Sequence, residues 1–457
     1  MAYPFSCFGV VLTCTSICWG CSDAPKSSIT DTSDSAHLES DIVTAEDVTA
    51  EDVPLVDPQD VNSDAETQTG CGINSDGSYF GRCELHYDDD AISTLCDELT
   101  GGCVRPVPRC RSGWCQIPSL IFDGGATEDA KSTNHSSEPR AMMRVPRSFL
   151  IMETEVTVKN FREVLGYTPF GLPDDDDFPA VGVSNYEAML FANRLSQKES
   201  RQECYELIDC AWTTRVWHEI DTDVWLCERA VFQGPECNGY RLPSGREWEL
   251  AARAGSPYCL SRGRLNTLPR GPDDCRPDDA KSWPHRLTTF CGNSGALHGL
   301  CPHSCTEPSI FDFPDSRCAV LPYAESVEDR ICLSPQRVRS MWPNPFGLYG
   351  MHGNVAEWTQ TTRSAAWNAA VDDLLATAWN KNLATTPEFV DVVDQSTPVL
   401  VAGIGYWYQI MTSCGNALYP FDLDYARNVH LLNTGFRAVR TLPENFDWLA
   451  STCPRCQ

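Results

Sequence analysis

Cysteine is the residue type that most constrains what this chain can fold into, because 24 of its 457 residues are cysteines. Such a number is typical of proteins from an oxidising compartment, since the cytosol keeps thiols reduced. The cysteines also fall in groups, with six between positions 71 and 115, four between 204 and 237, and seven between 259 and 332. We therefore predict an exported chain whose folded part contains several disulfides.

The spacing within each group indicates how the cysteines are used. The first group lies among glycines, prolines and acidic residues, and its irregular spacing favours a small disulfide-closed module over a zinc site. In the second group, nested pairs of Cys204 with Cys237 and of Cys210 with Cys227 would close a hairpin-like insertion. In the third group, zinc binding is the alternative to a disulfide-locked loop, and its candidate ligands are His298, Cys301, His303 and Cys305.

The N-terminus carries a short apolar run at Phe8–Thr13, which is too brief to span a bilayer. It is followed by Gly20 and Cys21, and a small residue directly before a cysteine resembles a bacterial lipoprotein cleavage site. We predict that Cys21 is lipidated and that a membrane is a partner through this anchor. The alternative is plain secretion, with Cys21 as a disulfide partner. Without Cys21 and the signal-peptide cysteines Cys7, Cys14 and Cys18, 20 cysteines remain, a number that permits complete pairing.

Residues 22–70 are predicted to be a disordered tether. They contain 13 Asp or Glu residues against one Lys, and no Phe, Trp or Tyr. Such a segment cannot bury enough apolar surface to offset the entropy of ordering it. The net charge of the whole chain, -28, also argues against nucleic acid as a partner, because phosphates require a basic surface.

A glycine-rich stretch at 347–358 is predicted to form a tight loop, because its glycines permit backbone angles that other residues avoid. Tyr349 and Trp358 bracket the loop as expected core residues, and Glu357 is its lone carboxylate. A carboxylate beside such a turn suits calcium held mostly by backbone carbonyls. The alternative is that Glu357 caps neighbouring amides.

Capping patterns predict three helices. Thr157 is the expected N-cap of a first helix with one apolar face. The pairs Ser184 with Glu187 and Ser244 with Glu247 have the spacing of a capping box and predict the other two helices. We predict a strand at 179–183 and a buried strand within 398–408 that runs into a glycine turn. The tail contains a CxxC spacing at Cys453 and Cys456, without the βαβ pattern of a thioredoxin-like protein.

Three separated segments, at 239–255, 347–358 and 435–440, together and in this order resemble the formylglycine-generating enzyme (sulfatase-modifying factor) family. The resemblance covers about Trp114 to Leu442. It implies an α+β, irregular and loop-rich fold of the C-type lectin-like kind. The organisation that we expect is a signal peptide at 1–20, an acidic tether at 21–70, a Cys-rich module at 71–113, the main domain at 114–442 and a Cys-containing tail at 443–457.

The resemblance also implies a calcium site in the glycine-rich loop. Glu357 would supply its carboxylate, and Gly353 and Val355 would supply backbone carbonyls. Many relatives have Asp or Asn at the position of Gly350, which offers no side chain here.

The enzymes of this family hold copper(I) with two thiolates that follow a Gly-Gly-Ser turn. The corresponding turn here is Gly403-Ile404-Gly405, and the two thiolate positions carry Tyr408 and Ser413. Cys414, one residue beyond the second position, is the only catalytic candidate. Copper(I) requires soft ligands, so copper is not expected.

These expectations lead to three hypotheses. The first is an exported lipoprotein of the cell envelope or surface whose domain is non-catalytic or re-purposed and binds a protein or carbohydrate ligand. The second is an oxidase that converts a protein cysteine to formylglycine, and the third is a structural envelope protein. The missing thiolate discriminates the first two hypotheses. The sequence sets no oligomeric state.

Overall fold

The structure is a computed structural model, and it describes residues 71–75, 79–81, 83–88, 91–97, 100–125, 140–169, 175–217, 220–258, 260–262, 286–289, 318–319, 331–332, 335–362, 392–394, 399–403, 418–420, 433–444 and 446. The predicted lipidation site Cys21, the tether, the possible zinc cluster at 298–305, the tail cysteines, and Tyr408, Ser413 and Cys414 lie outside the described residues.

Three helices occur in the described part of the chain, and each begins at its predicted cap. They are α1 (Val158–Leu165), α2 (Asn185–Lys198) and α3 (Gly245–Arg253). Both capping boxes form: Ser184 and Ser244 each accept from the amide three residues later, and the Glu at that position accepts from the cap amide. Helix α3 ends one residue before the predicted stop, because Ala254 already adopts the left-handed conformation, with φ 50°.

The strands are short, and many have only two or three residues. In the first half of the chain they are β1 (Gly72–Ile73), β2 (Tyr79–Phe80), β3 (Leu85–Asp88), β4 (Ala91–Ser93), β5 (Cys96–Asp97), β6 (Gly102–Cys103), β7 (Cys110–Arg111), β8 (Trp114–Ile117), β9 (Leu120–Gly124), β10 (Ala141–Val145), β11 (Phe149–Met152), β12 (Tyr205–Ile208), β13 (Ala211–Trp217), β14 (Ile220–Leu226) and β15 (Arg229–Phe232). The remaining strands are β16 (Cys318–Ala319), β17 (Ile331–Cys332), β18 (Ala356–Thr362), β19 (Val392–Asp394), β20 (Val399–Ala402), β21 (Leu418–Pro420), β22 (Thr434–Gly435) and β23 (Val439–Thr441).

Three four-stranded sheets organise these strands, in the orders β10-β9-β5-β6, β23-β11-β8-β7 and β21-β20-β18-β22. A three-stranded sheet, β12-β15-β19, and several two-stranded ribbons complete the described topology. The strand predicted within 398–408 is present as β20. The strand predicted at 179–183 is reduced to a single bridge between Thr157 and Pro179, because Ser184 turns the chain into α2 at once.

The hydrophobic core lies between the helices and the sheets. Its largest fully buried side chain is that of Trp358, whose indole N–H donates to the carbonyl of Val183 at 2.7 Å. Phe161, Phe191 and Phe436 belong to the same core and pack against one another, stacked or edge to face, with ring centroids 5.1–6.4 Å apart. The predicted core role of Trp358 is therefore confirmed, whereas Tyr349 is only half-buried.

The Cys-rich segment is joined to the main domain through its strands. Strand β5 pairs with β9, and β7 pairs with β8 across the expected boundary at 113–114. The segment's disulfides are Cys71–Cys96, Cys83–Cys103 and Cys110–Cys115. Backbone hydrogen bonds run between the two parts, so this segment shares sheets with the domain that follows it.

The predicted nested disulfides of the insertion are confirmed as Cys204–Cys237 and Cys210–Cys227. They close the base of a long hairpin in which β12 and β13 pair with β15 and β14. In the described part of the chain, no helix combines the length and the apolar composition that crossing a membrane requires.

We predict that these disulfides differ in their contribution to stability. Removing Cys204–Cys237, which spans 33 residues, should lower the free energy of unfolding by about 4 kcal/mol, whereas removing Cys110–Cys115, which spans five, should lower it by about 2 kcal/mol. The difference arises because a longer loop loses more unfolded-state entropy when it is closed. Urea unfolding of the two Cys→Ser double variants measures both values, and a larger loss for the short loop would contradict the prediction.

Candidate functional site

The glycine-rich loop is folded back tightly, as predicted. Gly350 and Gly353 have φ of 68° and 102°, in the left-handed region. A Cβ at Gly353 would lie 1.8 Å from the carbonyl oxygen of Thr289, and one at Gly350 would lie 2.2 Å from a carboxylate oxygen of Glu155. Both positions therefore require glycine for space as well as for conformation.

Glu357, at the end of this loop, is completely buried, and its carboxylate has two side-chain partners. The Nε of Arg437 donates to Oε1 and Oε2 at 2.9 and 2.8 Å, and its Nη2 donates to Oε1 at 2.7 Å. The indole N–H of Trp248 donates to Oε2 at 2.8 Å. The negative charge of this buried carboxylate is balanced by the guanidinium of Arg437. This partner is neither of the two that the sequence suggested, which were calcium and backbone amides.

The guanidinium of Arg437 is also surrounded by backbone oxygens. It donates to the carbonyls of Met152 at 3.2 Å, Glu153 at 3.5 Å and Tyr349 at 3.0 Å. Arg437 is fully buried. Three carbonyls and one carboxylate form the type of oxygen-rich environment that cations occupy in proteins, and here the cation is a side chain.

This pair connects the three sequence motifs. Trp248 belongs to the segment 239–255, Glu357 to 347–358 and Arg437 to 435–440. Trp248 lies 109 residues before Glu357 in the chain, and Arg437 lies 80 residues after it. Their shared feature is therefore one buried polar junction rather than a set of side chains exposed to a substrate.

Glu155 is a second buried carboxylate at this junction, and the sequence analysis missed it. Its Oε1 accepts from the side-chain amide of Asn354 at 2.9 Å, whereas its Oε2 has no hydrogen-bond partner within the described residues. Burial raises the pKa of Glu155, and the nearby Arg437 only partly opposes this effect. The available signal was weak, because Glu155 is one of two acidic residues, with Glu153, between the apolar strand β11 and buried Val156.

The two polar residues of the loop hold its conformation. Asn354 accepts from the amide of Gln336 at 2.8 Å in addition to its contact with Glu155. The Nε2 of His352 accepts from the amide of Ser261 at 3.3 Å. Burial lowers the pKa of His352 to about 4, so the imidazole is neutral near pH 7 and acts as a structural acceptor.

The predicted calcium site does not fit the Glu357 carboxylate. Both of its oxygens accept hydrogen bonds from a fixed cation, and a second cation at the same oxygens would be repelled by Arg437. Gly350 supplies no side chain, and the space beside it contains Glu155. The structure does not test calcium binding at Gly353, Val355 and Glu357 directly, but the pairing of Glu357 with Arg437 argues against it.

The residues at the two thiolate positions do not suit copper(I). The phenol of Tyr408 and the hydroxyl of Ser413 are hard oxygen donors, whereas copper(I) is bound by thiolates and thioethers. Cys414 alone offers a thiol in this region, and a single thiolate does not complete such a site.

The fold and the junction together define a class of protein, an irregular α+β domain whose separated motifs meet at a buried arginine–glutamate pair. Residues 115–442 match the model of the sulfatase-modifying factor enzyme 1-like domain. The chain belongs to this family, and its fold is the loop-rich, C-type lectin-like one that the resemblance implied.

Several solved structures and one curated protein are similar to the chain. Treponema denticola variable protein 1 is 16% identical, with a TM-score of 0.42 over 72% of this chain and 95% of that one. PvdO from Pseudomonas aeruginosa is 17% identical, with a TM-score of 0.41 over 72% and 94%. The "Chaperone protein LppX" of Paenibacillus barcinonensis is 31% identical over 136 residues, which is 30% of this chain and 45% of the relative. The family membership rests on the domain match.

We predict that breaking the buried pair is strongly destabilising. Glu357→Gln leaves the guanidinium of Arg437 without its counter-charge, so the free energy of unfolding should fall by about 3–5 kcal/mol. Asp175→Asn is the control, because it breaks an exposed pair with Arg337 at 2.7 Å and should cost at most about 1 kcal/mol. Urea unfolding of both variants provides the comparison, and equal losses would contradict it.

We predict a pH dependence that originates at Glu155. Because its pKa is higher in the folded than in the unfolded chain, the folded state binds more protons between the two values. Stability should therefore fall as the pH rises from the unfolded value, about 4.5, through the folded one. Glu155→Gln should remove this decline, and its stability relative to wild type should increase from pH 5 to pH 8. A constant difference across that range would contradict the assignment.

We predict that neither calcium nor EDTA shifts the melting temperature of the wild-type protein, because Arg437 already neutralises Glu357. Thermal unfolding with each addition measures this directly. A rise with calcium that disappears in Glu357→Gln would establish the calcium site that the family resemblance implied.

Proposed function

We propose that the protein is an exported, surface-tethered lipoprotein whose sulfatase-modifying-factor-like domain is a non-catalytic or re-purposed ligand-binding module. The observation that carries this proposal is the buried junction. Two charged residues of the matching motifs, Glu357 and Arg437, are fully buried and bonded to each other. They stabilise the scaffold and offer no group to a substrate.

The residues at the thiolate positions support the same conclusion. Oxidation of a cysteine by the enzymes of this family requires two thiolates that hold copper(I), and Tyr408 and Ser413 provide none. The chemistry cannot pass to oxygen ligands, because copper(I) prefers soft donors. A fold that has lost its reactive pair still presents loops on a rigid framework, and a loop-rich framework suits recognition.

The lipoprotein part of the proposal rests on Cys21 and the acidic segment that follows it. A lipid on Cys21 would hold the chain at a membrane, and the tether would place the domain away from the surface. Five disulfides in the described residues favour an oxidising environment. The curated relative is named as a chaperone, and binding without chemical conversion is compatible with that name.

A thiol and copper titration tests the proposal. In the mature, denatured and non-reduced protein we expect no free thiol, because the 20 cysteines beyond position 21 are an even number, which permits complete pairing. Titration with copper(I) against a competing chelator should show no tight site, and Cys414→Ser should behave as the wild type does. These results would exclude the oxidase.

The contrary outcome is equally specific. A free Cys414 whose replacement abolishes tight copper(I) binding would overturn the proposal and support the formylglycine-generating oxidase. Formation of formylglycine in a cysteine-containing peptide would then be the confirming assay.

A further inference from the structure

We infer that the outer edge of strand β13, beside Trp212, is a docking site for an extended, basic polypeptide segment. This inference rests on the proposed ligand-binding function and names the class of ligand and its place. It is carried by three observations: an exposed aromatic ring held in place, a strand edge without a described partner, and a local excess of acidic residues.

Trp212 is the most exposed large aromatic residue in the described part of the chain, with 53% of its surface accessible. Its ring contacts the ring of Tyr167 edge to face, with centroids 5.2 Å apart. Tyr167 is held in turn, since its hydroxyl donates to Glu187 at 3.0 Å. The indole is thus fixed from one side and accessible from another, so a ligand would not have to restrict its rotation.

The hairpin that carries Trp212 is anchored at its base. The disulfide Cys210–Cys227 closes it, and the carbonyl of Trp225 accepts from the hydroxyl of Ser184 at 3.2 Å. Trp225 lies directly opposite Trp212 across the ribbon and packs against the core. The two-stranded ribbon is therefore a fixed projection and not a detached loop.

Strand β13 pairs with β14 on one side, and the described residues contain no strand on its other side. Such an edge presents backbone N–H and C=O groups at regular spacing, and an extended segment can add to it as a further strand. A segment added to β13 would lie one strand spacing, about 4.8 Å, from the backbone of Trp212.

Charge favours a basic segment. Thr214 and Asp223 form the next rung on the face that carries Trp212, with the hydroxyl donating to the carboxylate at 2.8 Å. Between Cys210 and Cys227 the sequence has three acidic residues against one Arg, within a chain of net charge -28. A Lys or Arg side chain from an added strand could cover the Trp212 ring and approach Asp223, combining a cation–π contact with charge attraction.

The test uses the full mature protein and a ten-residue peptide of alternating Lys and Thr as the probe. Two matched peptides accompany it, one with Glu in place of Lys and one with Pro in place of Thr, which cannot form the strand ladder. We expect the Lys peptide to bind, and the Glu and Pro peptides to bind at least about tenfold more weakly. Fluorescence anisotropy of labelled peptides measures the affinities.

Single-residue variants test whether the peptide binds at the proposed site. Trp212→Ala and Asp223→Asn should each weaken binding of the Lys peptide by about tenfold, which corresponds to about 1.4 kcal/mol. Trp342→Ala is the matched control and should bind as the wild type does, because Trp342 is also exposed, at 39%, but lies outside the hairpin. Circular dichroism of each variant verifies its folding.

The inference is overturned if the Lys peptide does not bind at about 1 mM, or if Trp212→Ala and the Pro peptide bind unchanged. It is also overturned if neutral oligosaccharides bind and lose affinity in Trp212→Ala while the Lys peptide does not, since the ligand would then be a carbohydrate. None of these results alters the thiol and copper titration, so failure of this site and failure of the non-catalytic assignment are distinguishable.

Discussion

The buried pair of Glu357 and Arg437 is the interaction on which the rest of the fold depends. Removing two charges from water is costly, and their mutual attraction offsets that cost only when the remaining donors and acceptors are also satisfied. Here Trp248 and the carbonyls of Met152 and Tyr349 complete the set. Strand β11, helix α3, the glycine-rich loop and the closing strand β23 are consequently fixed relative to one guanidinium.

Local features of the fold could be predicted because their causes lie within a few residues. Capping boxes at Ser184 and Ser244, and the nested disulfides of the insertion, follow from short-range spacing, and the structure confirms them. Helix α3 ends at Arg253 with Ala254 as its C-cap, directly before the predicted stop Gly255, which has a φ of 81°. The order of motifs was sufficient to identify the family without defining any contact between the motifs.

The candidate site could be predicted less well from the sequence, because its contacts join positions that are far apart in the chain. Nothing near Glu357 in the chain shows that its partner is an arginine 80 residues later. Glu155 was missed for a similar reason: one acidic residue beside a strand has no periodic signal, and its burial depends on Gly350 having no side chain. The family resemblance directed attention to a metal, whereas the charge of Glu357 is balanced by the side chain of Arg437.

The contacts of the junction join residues that are far apart in the chain, and this separation affects when the protein can fold during its synthesis. Strand β11 lies near the N-terminal end of the domain, yet its partner β23 and the residue Arg437 are among the last parts of the domain to be synthesised. Contacts between such distant positions form slowly, because a long loop must close before any of them contributes. A nascent chain of this kind cannot complete its core until nearly all of it has emerged, so it remains unfolded for longer. That delay is compatible with the export that we propose, because an unfolded chain can cross a membrane before its core and disulfides form.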